Sequence, residues 1–268
     1  MTETHGWQKR NVRYESIHGV QQADFDKLVE SLDLKDNMLV GDFMSGYGAV
    51  SREICKYANA RGLRDLSVVL NDRFSAQLER SRQELSDVVG STKLVRCQCD
   101  IRNLCLSDDQ FDRIAIKMGL HELPRDTQQA AVNEIYRVLK PEGLFAVWGL
   151  IPNTLEEQDL FNKIVRKKDE LANLQSLARE RYFFQQGELE NYVAKAGFRE
   201  AIVYHEMPLR LETHKHLGDP DGDVTKLQNY NDYIRQIMPE EMKAKLSYED
   251  KGDTISLSFR QGIVKARK

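Results

Sequence analysis

Short apolar runs alternate with stretches of helical period along the first part of the chain. The runs Met38–Val40, Leu66–Leu70, Lys93–Cys97, Phe111–Lys117 and Leu144–Leu150 read as strands. Between them, Ala49–Ala60, Phe74–Val88 and Asp126–Leu139 carry their apolar residues at helical spacing, and Ala23–Leu32 precedes them with Phe25, Leu28, Val29 and Leu32 on one side. Strands alternating with helices predict a parallel sheet wound on both faces. Lys140-Pro141-Glu142-Gly143 is expected to stop the helix before the fifth strand, since Pro cannot continue it and Gly supplies a turn. Further on, a long charged helix is expected over Thr154–Arg181, a sixth strand over Ala201–Met207 and a last one over Thr254–Ala266. Leu209–Asp253 separates the two closing strands and contains a helical stretch from Lys226 to Leu246.

The stretch that decides the chemistry is Met38-Leu-Val-Gly-Asp-Phe-Met-Ser-Gly-Tyr-Gly48, a strand that runs into a glycine turn and then a helix. Such a unit builds the first ligand-binding crevice of a doubly wound sheet. A dinucleotide would want a third glycine, but Ala49, Val50 and Ser51 follow Gly48. A carboxylate at Asp42 opposes a phosphate and suits an ammonium group, while the Gly46 and Gly48 amides suit a carboxylate. S-adenosylmethionine carries both. These residues resemble the first motif of the class I S-adenosylmethionine-dependent methyltransferases, close to Asp-x-Gly-x-Gly-x-Gly, with Met44 in place of the first glycine.

Further along, Arg137-Val-Leu-Lys-Pro-Glu-Gly143 is close to that family's Arg-Val-Leu-Lys-Pro-Gly-Gly, and Phe111-Asp-Arg-Ile114 resembles its entry to the fourth strand. Leu120-His-Glu-Leu123 looks like the Leu-His-x-Leu loop of its small-molecule members. The resemblance implies a Rossmann-like, doubly wound α/β sheet of seven strands, mostly parallel with an antiparallel last strand. It implies a cap segment and first helix at 1–37, a cofactor-binding core at 38–208, a lid-like helical insertion at 209–253 and a closing strand at 254–268. The cofactor would be held by Asp42, Met44, Ser45, Gly46 and Gly48, by Asn71 and Asp72, by Asp100 and Ile101, and by Lys117 and Met118. Asp72 lies at the tip of the second strand, where an acid reaches ribose hydroxyls, and it is equally suited to cap the next helix. The family places at Asp100 and Ile101 an acid for the adenine amino group and an amide for a ring nitrogen. Its leading segment often crosses the mouth of the crevice, which would bring Trp7, Tyr14 and His18 to the substrate and Tyr14 to the cofactor as well. His121 is the candidate general base, backed by Glu122 or His18, with packing under the cofactor as its plainer role.

Charge and composition narrow the partner. A net charge of −3 over 268 residues argues against a nucleic-acid binder, and no Asn/Asp-Pro-Pro-aromatic run of base-modifying enzymes is present. No apolar run approaches the ~18 residues of a membrane span, and the first residues lack a secretory pattern. A small organic substrate in a cytoplasmic chain is the expectation, with a homodimer allowed. Cys55, Cys97, Cys99 and Cys105 have no zinc spacing and are expected to be reduced core thiols. His214, His216, Asp219, Asp221 and Asp223 invite a metal reading, and the Asp spacing starts like a calcium loop, but Val224 and Tyr230 stand where glycine and glutamate belong, so a solvated acidic loop is expected and no metal. Tyr230, Tyr233 and Tyr248 of the insertion are candidates to reach a substrate. Three other functions use a similar sheet: a cofactor-binding or empty subunit that supports a partner, a nicotinamide dehydrogenase, and another transfer from the same cofactor.

Overall fold

The computed structural model describes residues 19–185, 187–217 and 223–268. Trp7, Tyr14, His18, Asp219 and Asp221 lie outside the described residues. The chain runs α1 (Gln22–Ser31), β1 (Leu39–Phe43), α2 (Ala49–Arg61), β2 (Ser67–Asp72), α3 (Ser75–Glu84), β3 (Lys93–Gln98), β4 (Phe111–Lys117), a short 3₁₀ turn (Leu120–Glu122), α4 (Arg125–Val138) and β5 (Leu139–Leu150). It continues through α5 (Leu155–Leu171), α6 (Gln175–Glu180), α7 (Glu188–Lys195), β6 (Arg199–Glu212), α8 (Thr213–Leu217), α9 (Val224–Ile237), α10 (Glu240–Lys245), β7 (Glu249–Asp250) and β8 (Ile255–Arg267).

The strands form an eight-stranded sheet in the order β3-β2-β1-β4-β5-β8-β6, with β7 paired to β8. The pairs among β1 to β5 are parallel: Phe43 meets Asn71, Asp72 meets Gln98, and Asp42 meets both Leu70 and Ala115. Buried on both faces, β1 and β2 read as apolar runs rather than as alternation. The last strand is antiparallel to β5, because Ile151 donates to Arg260 while Lys268 donates to Gly143. Strand order reverses between β1 and β4, and at such a switch point the carboxyl ends of the strands open a ligand crevice.

Four expected boundaries change. Leu139 already pairs with Phe111, and the next match is Leu144 with Arg113, so Lys140–Gly143 bulge within one long strand instead of forming a separate turn. Glu142 takes a positive φ there, and its N–H bonds the Lys268 carbonyl. The long helix expected over 154–181 breaks where Asn173 turns left-handed. β6 continues to Glu212 rather than stopping at Met207. The helical stretch at 226–246 is two helices, parted by Met238 and Pro239, since proline donates no N–H.

The chain divides into two compact units. One comprises 22–149, 188–206 and 262–268, and its core includes Val40, Phe43, Ile54, Leu70, Phe111, Ile114, Ile135 and Trp148. Within it the Phe25 ring meets Trp148 edge-on at 5.4 Å. The other comprises, among the described residues, 19–21, 150–185, 187, 207–217 and 223–261; there Phe161 stands edge-on to both Phe183 and Phe259 at 4.6 and 4.7 Å. Among the described residues no helix is long and apolar enough to cross a membrane.

Candidate functional site

The candidate site lies in the first of these units, at the carboxyl ends of β1 to β4. Asp42, near the end of β1, is almost fully buried. Its Oδ2 accepts from the Ser51 amide at 2.9 Å and the Ser51 hydroxyl at 2.6 Å. Ser51 stands in the first turn of α2, whose N–H groups have no partner within the helix. The acid of β1 thus caps α2 from a neighbouring strand, a task that Gly48, the residue before the helix, has no side chain to perform. Burial is the main reason its carboxyl rises to about 7, and the Ser51 bonds pull the other way. One Asp42 oxygen therefore belongs to the helix, where the sequence suggested a contact to a ligand ammonium.

The turn after β1 is built by left-handed backbone. Met44, Gly46 and Gly48 have φ of 53°, 54° and 88°. Glycine adopts this freely, whereas Met44 does so at a cost. A Cβ on Gly48 would approach a Leu70 methyl to 2.9 Å, which adds to the positive φ in favouring glycine; one on Gly46 would meet nothing within 4 Å, so the turn faces open space there. Ser45 fastens the turn to β2, its N–H bonding the Asn71 carbonyl at 3.0 Å and its carbonyl accepting from the Gly48 N–H at 2.9 Å.

Asp72 ends β2 and holds two backbone amides, Gly46 N–H on Oδ2 at 2.8 Å and Phe74 N–H on Oδ1 at 2.9 Å. Burial raises its pKa, opposed by those amides. Asp72 is not the cap of α3; Phe74 occupies that position. The Gly46 and Gly48 amides, assigned from the sequence to a ligand carboxylate, are both turned on the chain itself in this structure. Asn71 is buried and bonds the Cys97 and Cys99 carbonyls through Nδ2, each at 3.2 Å, so it ties β2 to the loop after β3.

That loop carries Asp100 and Ile101. Arg102 grips Asp100 with two bonds of 2.9 and 2.6 Å, and this pairing holds the carboxyl below its ordinary value. Ile101 is buried. On the other side of β1, the Lys117 ammonium sits 5.3 Å from the ring centres of both Phe25 and Trp148. Met118 follows with φ of 52°, its N–H on the Trp148 carbonyl at 2.8 Å. A Cβ on the next residue, Gly119, would strike Met44 Cβ at 2.8 Å and its sulfur at 2.9 Å. The thioether that replaces a motif glycine therefore covers the backbone of the loop after β4. His121 is buried on the 3₁₀ turn, its Nε2 3.1 Å from Glu122 Oε1.

The structure thus joins Met44, Ser45, Gly46, Gly48, Asn71 and Asp72 in one bonded turn, with Asp42 beneath it and Asp100, Lys117 and His121 on neighbouring strand ends. Sequence reasoning missed Ser51 and Arg102. Arg102, two residues after Asp100, was legible as a side-chain turn; Ser51 was legible as a first-turn donor facing a buried acid. His214 and His216 belong to the other unit, His214 bonding Thr254 at 2.9 Å and His216 bonding the buried Tyr230 hydroxyl at 2.7 Å. Tyr230, expected to reach a substrate, is wholly enclosed in its own unit.

Residues 40–143 match a family model described as a methyltransferase domain. The chain is 29% identical over 149 residues to the ubiquinone/menaquinone biosynthesis C-methyltransferase of Methylococcus capsulatus, covering 56% of this chain and 55% of that one. It is 28% identical over 140 residues to the sterol 24-C-methyltransferase of Debaryomyces hansenii, covering 51% and 35%. The chain thus spans about half the length of the curated relatives it matches first. Among solved structures, the YcgJ protein of Bacillus subtilis superposes with a TM-score of 0.73 at 15% identity, covering 92% of this chain and 99% of that one. The phosphoethanolamine N-methyltransferase 2 of Haemonchus contortus, solved with S-adenosylhomocysteine, gives 0.55 at 15% identity, over 95% and 56%. Both likenesses are of fold.

Proposed function

We propose that this chain, whose residues 40–143 match a methyltransferase domain, binds S-adenosylmethionine at the strand ends and methylates a small organic metabolite. The observation that carries this reading is the Asp72 carboxylate, buried at the tip of β2, held among the described residues by backbone amides and set beside the open face of Gly46. A buried acid with neutral partners is suited to paired hydroxyls, such as those of a ribose. On binding, Asp72 would exchange its Gly46 bond for those hydroxyls, which frees the Gly46 N–H for the ligand's amino-acid end. Asp100 would accept from the adenine amino group with Arg102 keeping it ionised, and the Ile101 amide would face a ring nitrogen.

When bound, the cofactor supplies a methyl group already activated on a sulfonium. The chain's contribution is then to hold two reactants at attack distance, an effect of up to ~7–11 kcal/mol. Where the acceptor is a hydroxyl, His121 would take its proton, with Glu122 orienting the ring and stabilising it once charged. The four free thiols fit a reducing cytoplasm. A subunit of this fold that binds no cofactor is the competing reading, and Met44 in its strained place is the feature that favours it.

Calorimetric titration with S-adenosylhomocysteine tests the proposal. Asp72→Ala is expected to weaken binding by about 1.5–3 kcal/mol, the worth of a hydrogen bond to a charged group. Unchanged affinity would remove Asp72 from the ribose position, and a wild-type chain that ignores the ligand would favour the competing reading.

A further inference from the structure

Three of the four cysteines gather at the end of β3 and in the loop after it, and they are not the core thiols the sequence suggested. Cys55 alone is buried; Cys97 and Cys99 are half-buried and Cys105 is exposed. The Cys97 and Cys105 sulfurs lie 3.6 Å apart. Cys99 adds a third sulfur to the group, accepting the Cys105 N–H at 2.9 Å and facing the Asn103 carbonyl at 3.4 Å.

Both ends of this loop are fixed. Asn71 holds the carbonyls of Cys97 and Cys99, and Glu134 accepts the Leu104 N–H at 2.7 Å. The two thiols are thus kept face to face by backbone anchors on either side. A disulfide needs its sulfurs at about 2 Å, so closure asks for about 1.5 Å, within reach of side-chain rotation and a small shift of the exposed Cys105.

We propose that Cys97 and Cys105 form an oxidisable dithiol whose disulfide closes the loop carrying Asp100 and Ile101 and weakens cofactor binding there. The oxidant is hydrogen peroxide. The exposed Cys105 thiolate attacks a peroxide oxygen; the O–O bond breaks, an S–O bond forms and one water leaves. The Cys97 thiolate then attacks that sulfur, forming the S–S bond and expelling the second oxygen as water. The two sulfurs together lose two electrons, the peroxide gains them, and both thiol protons end in water. Drawing Cys105 towards β3 pulls its N–H off the Cys99 sulfur and drags the segment between them, with Asp100 and Ile101 at its centre. The second half of the proposal rests on the assignment of those two residues to the cofactor.

The test is peptide mapping of the full chain before and after mild hydrogen peroxide, with free thiols alkylated, for the wild type and for Cys97→Ser, Cys99→Ser and Cys105→Ser. A Cys97–Cys105 link is expected in the wild type and in Cys99→Ser, reversed by dithiothreitol, and absent from the other two variants. Oxidised wild type should bind S-adenosylhomocysteine about 5- to 150-fold more weakly than reduced, with Cys105→Ser insensitive to peroxide. No link, or a link only between Cys99 and Cys105, would overturn the dithiol. Equal affinity of the oxidised and reduced forms would overturn the coupling. Failure of the reduced chain to bind the ligand would instead remove the cofactor reading, and the mapping, which uses no ligand, would still decide the dithiol. A melting curve for each variant separates loss of fold from loss of chemistry.

Discussion

Buried carboxylates occur in both units, and they are held in opposite ways. In the unit that includes the insertion, Asp169 is fully enclosed between two cations, the Lys168 ammonium at 2.9 Å and the Arg181 guanidinium at 2.7 Å, both themselves buried. Beside this group burial pushes the Tyr230 phenol up, and the Asp169 charge adds to the effect. In the unit of the candidate site, Asp42 and Asp72 are held by N–H and O–H groups and by no ion pair among the described residues. Opposite charge offsets the burial of an acid directly; neutral donors compensate it only in part. The first arrangement is a closed account that specifies a packing. The second leaves charge available to a ligand, and it is where a doubly wound sheet opens.

The sharpest way to break this comparison is Asp169→Ala. Removing the acid strands two buried cations, and the expected loss is about 3–5 kcal/mol of stability by denaturant unfolding. A loss below about 1 kcal/mol would mean that Lys168 and Arg181 reach water, and the contrast would fall. Next come the two buried histidines. His121→Ala is expected to slow turnover about 10²–10⁴-fold on a hydroxyl acceptor while leaving S-adenosylhomocysteine binding intact. His216→Ala, which removes the partner of the Tyr230 hydroxyl, should lower melting temperature and spare turnover. A drop of only a few-fold for His121→Ala would leave it a packing residue like His216.

Asp42 supplies a third test, through pH. Its carboxyl lies at about 7 against an ordinary value of 3.8, so between those values the folded chain keeps a proton that the unfolded chain has lost. Its contribution to stability is therefore whole below the ordinary value and is lost as pH rises through about 7. Each pH step in that window is worth about 1.4 kcal/mol for one proton. Asp42→Asn, which keeps an oxygen for Ser51, should remove that part of the decline. An unchanged pH profile would place Asp42 in contact with water or with a cation.

These contrasts also mark what the chain's letters reveal. The strand ends were legible because parallel strands buried on both faces give uninterrupted apolar runs, and because a glycine turn and an acid at each tip are local features. Asp42 and Asp72 were found on those grounds, and Asp100 through the family resemblance. What each acid touches was harder to read: Ser51 and Arg102 left only local signals, a first-turn donor and a side-chain turn, and Phe74 left none, because helix starts and loop geometry depend on how the segment ends. The insertion was the least readable part. The pattern of Leu209–Asp253 showed histidines and acids close in sequence, yet the partner of His216 is Tyr230, and that of Asp169 is Arg181, across a helix break at Asn173. Pairings at that distance are set by tertiary packing and leave no period in the chain.

The smallest effect is the most specific to this chain. Met44 adopts a left-handed backbone that costs an ordinary residue about 1–2 kcal/mol, and its side chain lies against Gly119. Met44→Gly relieves the backbone and gives up the contact, two changes of similar size and opposite sign, so the expected stability change is within about 1 kcal/mol. Gly119→Ala alone drives a Cβ to 2.8 Å from Met44 Cβ and should cost more. In the Met44→Gly background that clash is gone, although Ile116 still stands at 3.0 Å, so the cost of Gly119→Ala should fall but not vanish. The double-mutant cycle should therefore return a coupling of about 1 kcal/mol, inside the range for residues in contact. Additive effects would mean that the Met44 side chain leaves Gly119 uncovered, and the turn after β1 would then stand open on both sides instead of at Gly46 alone.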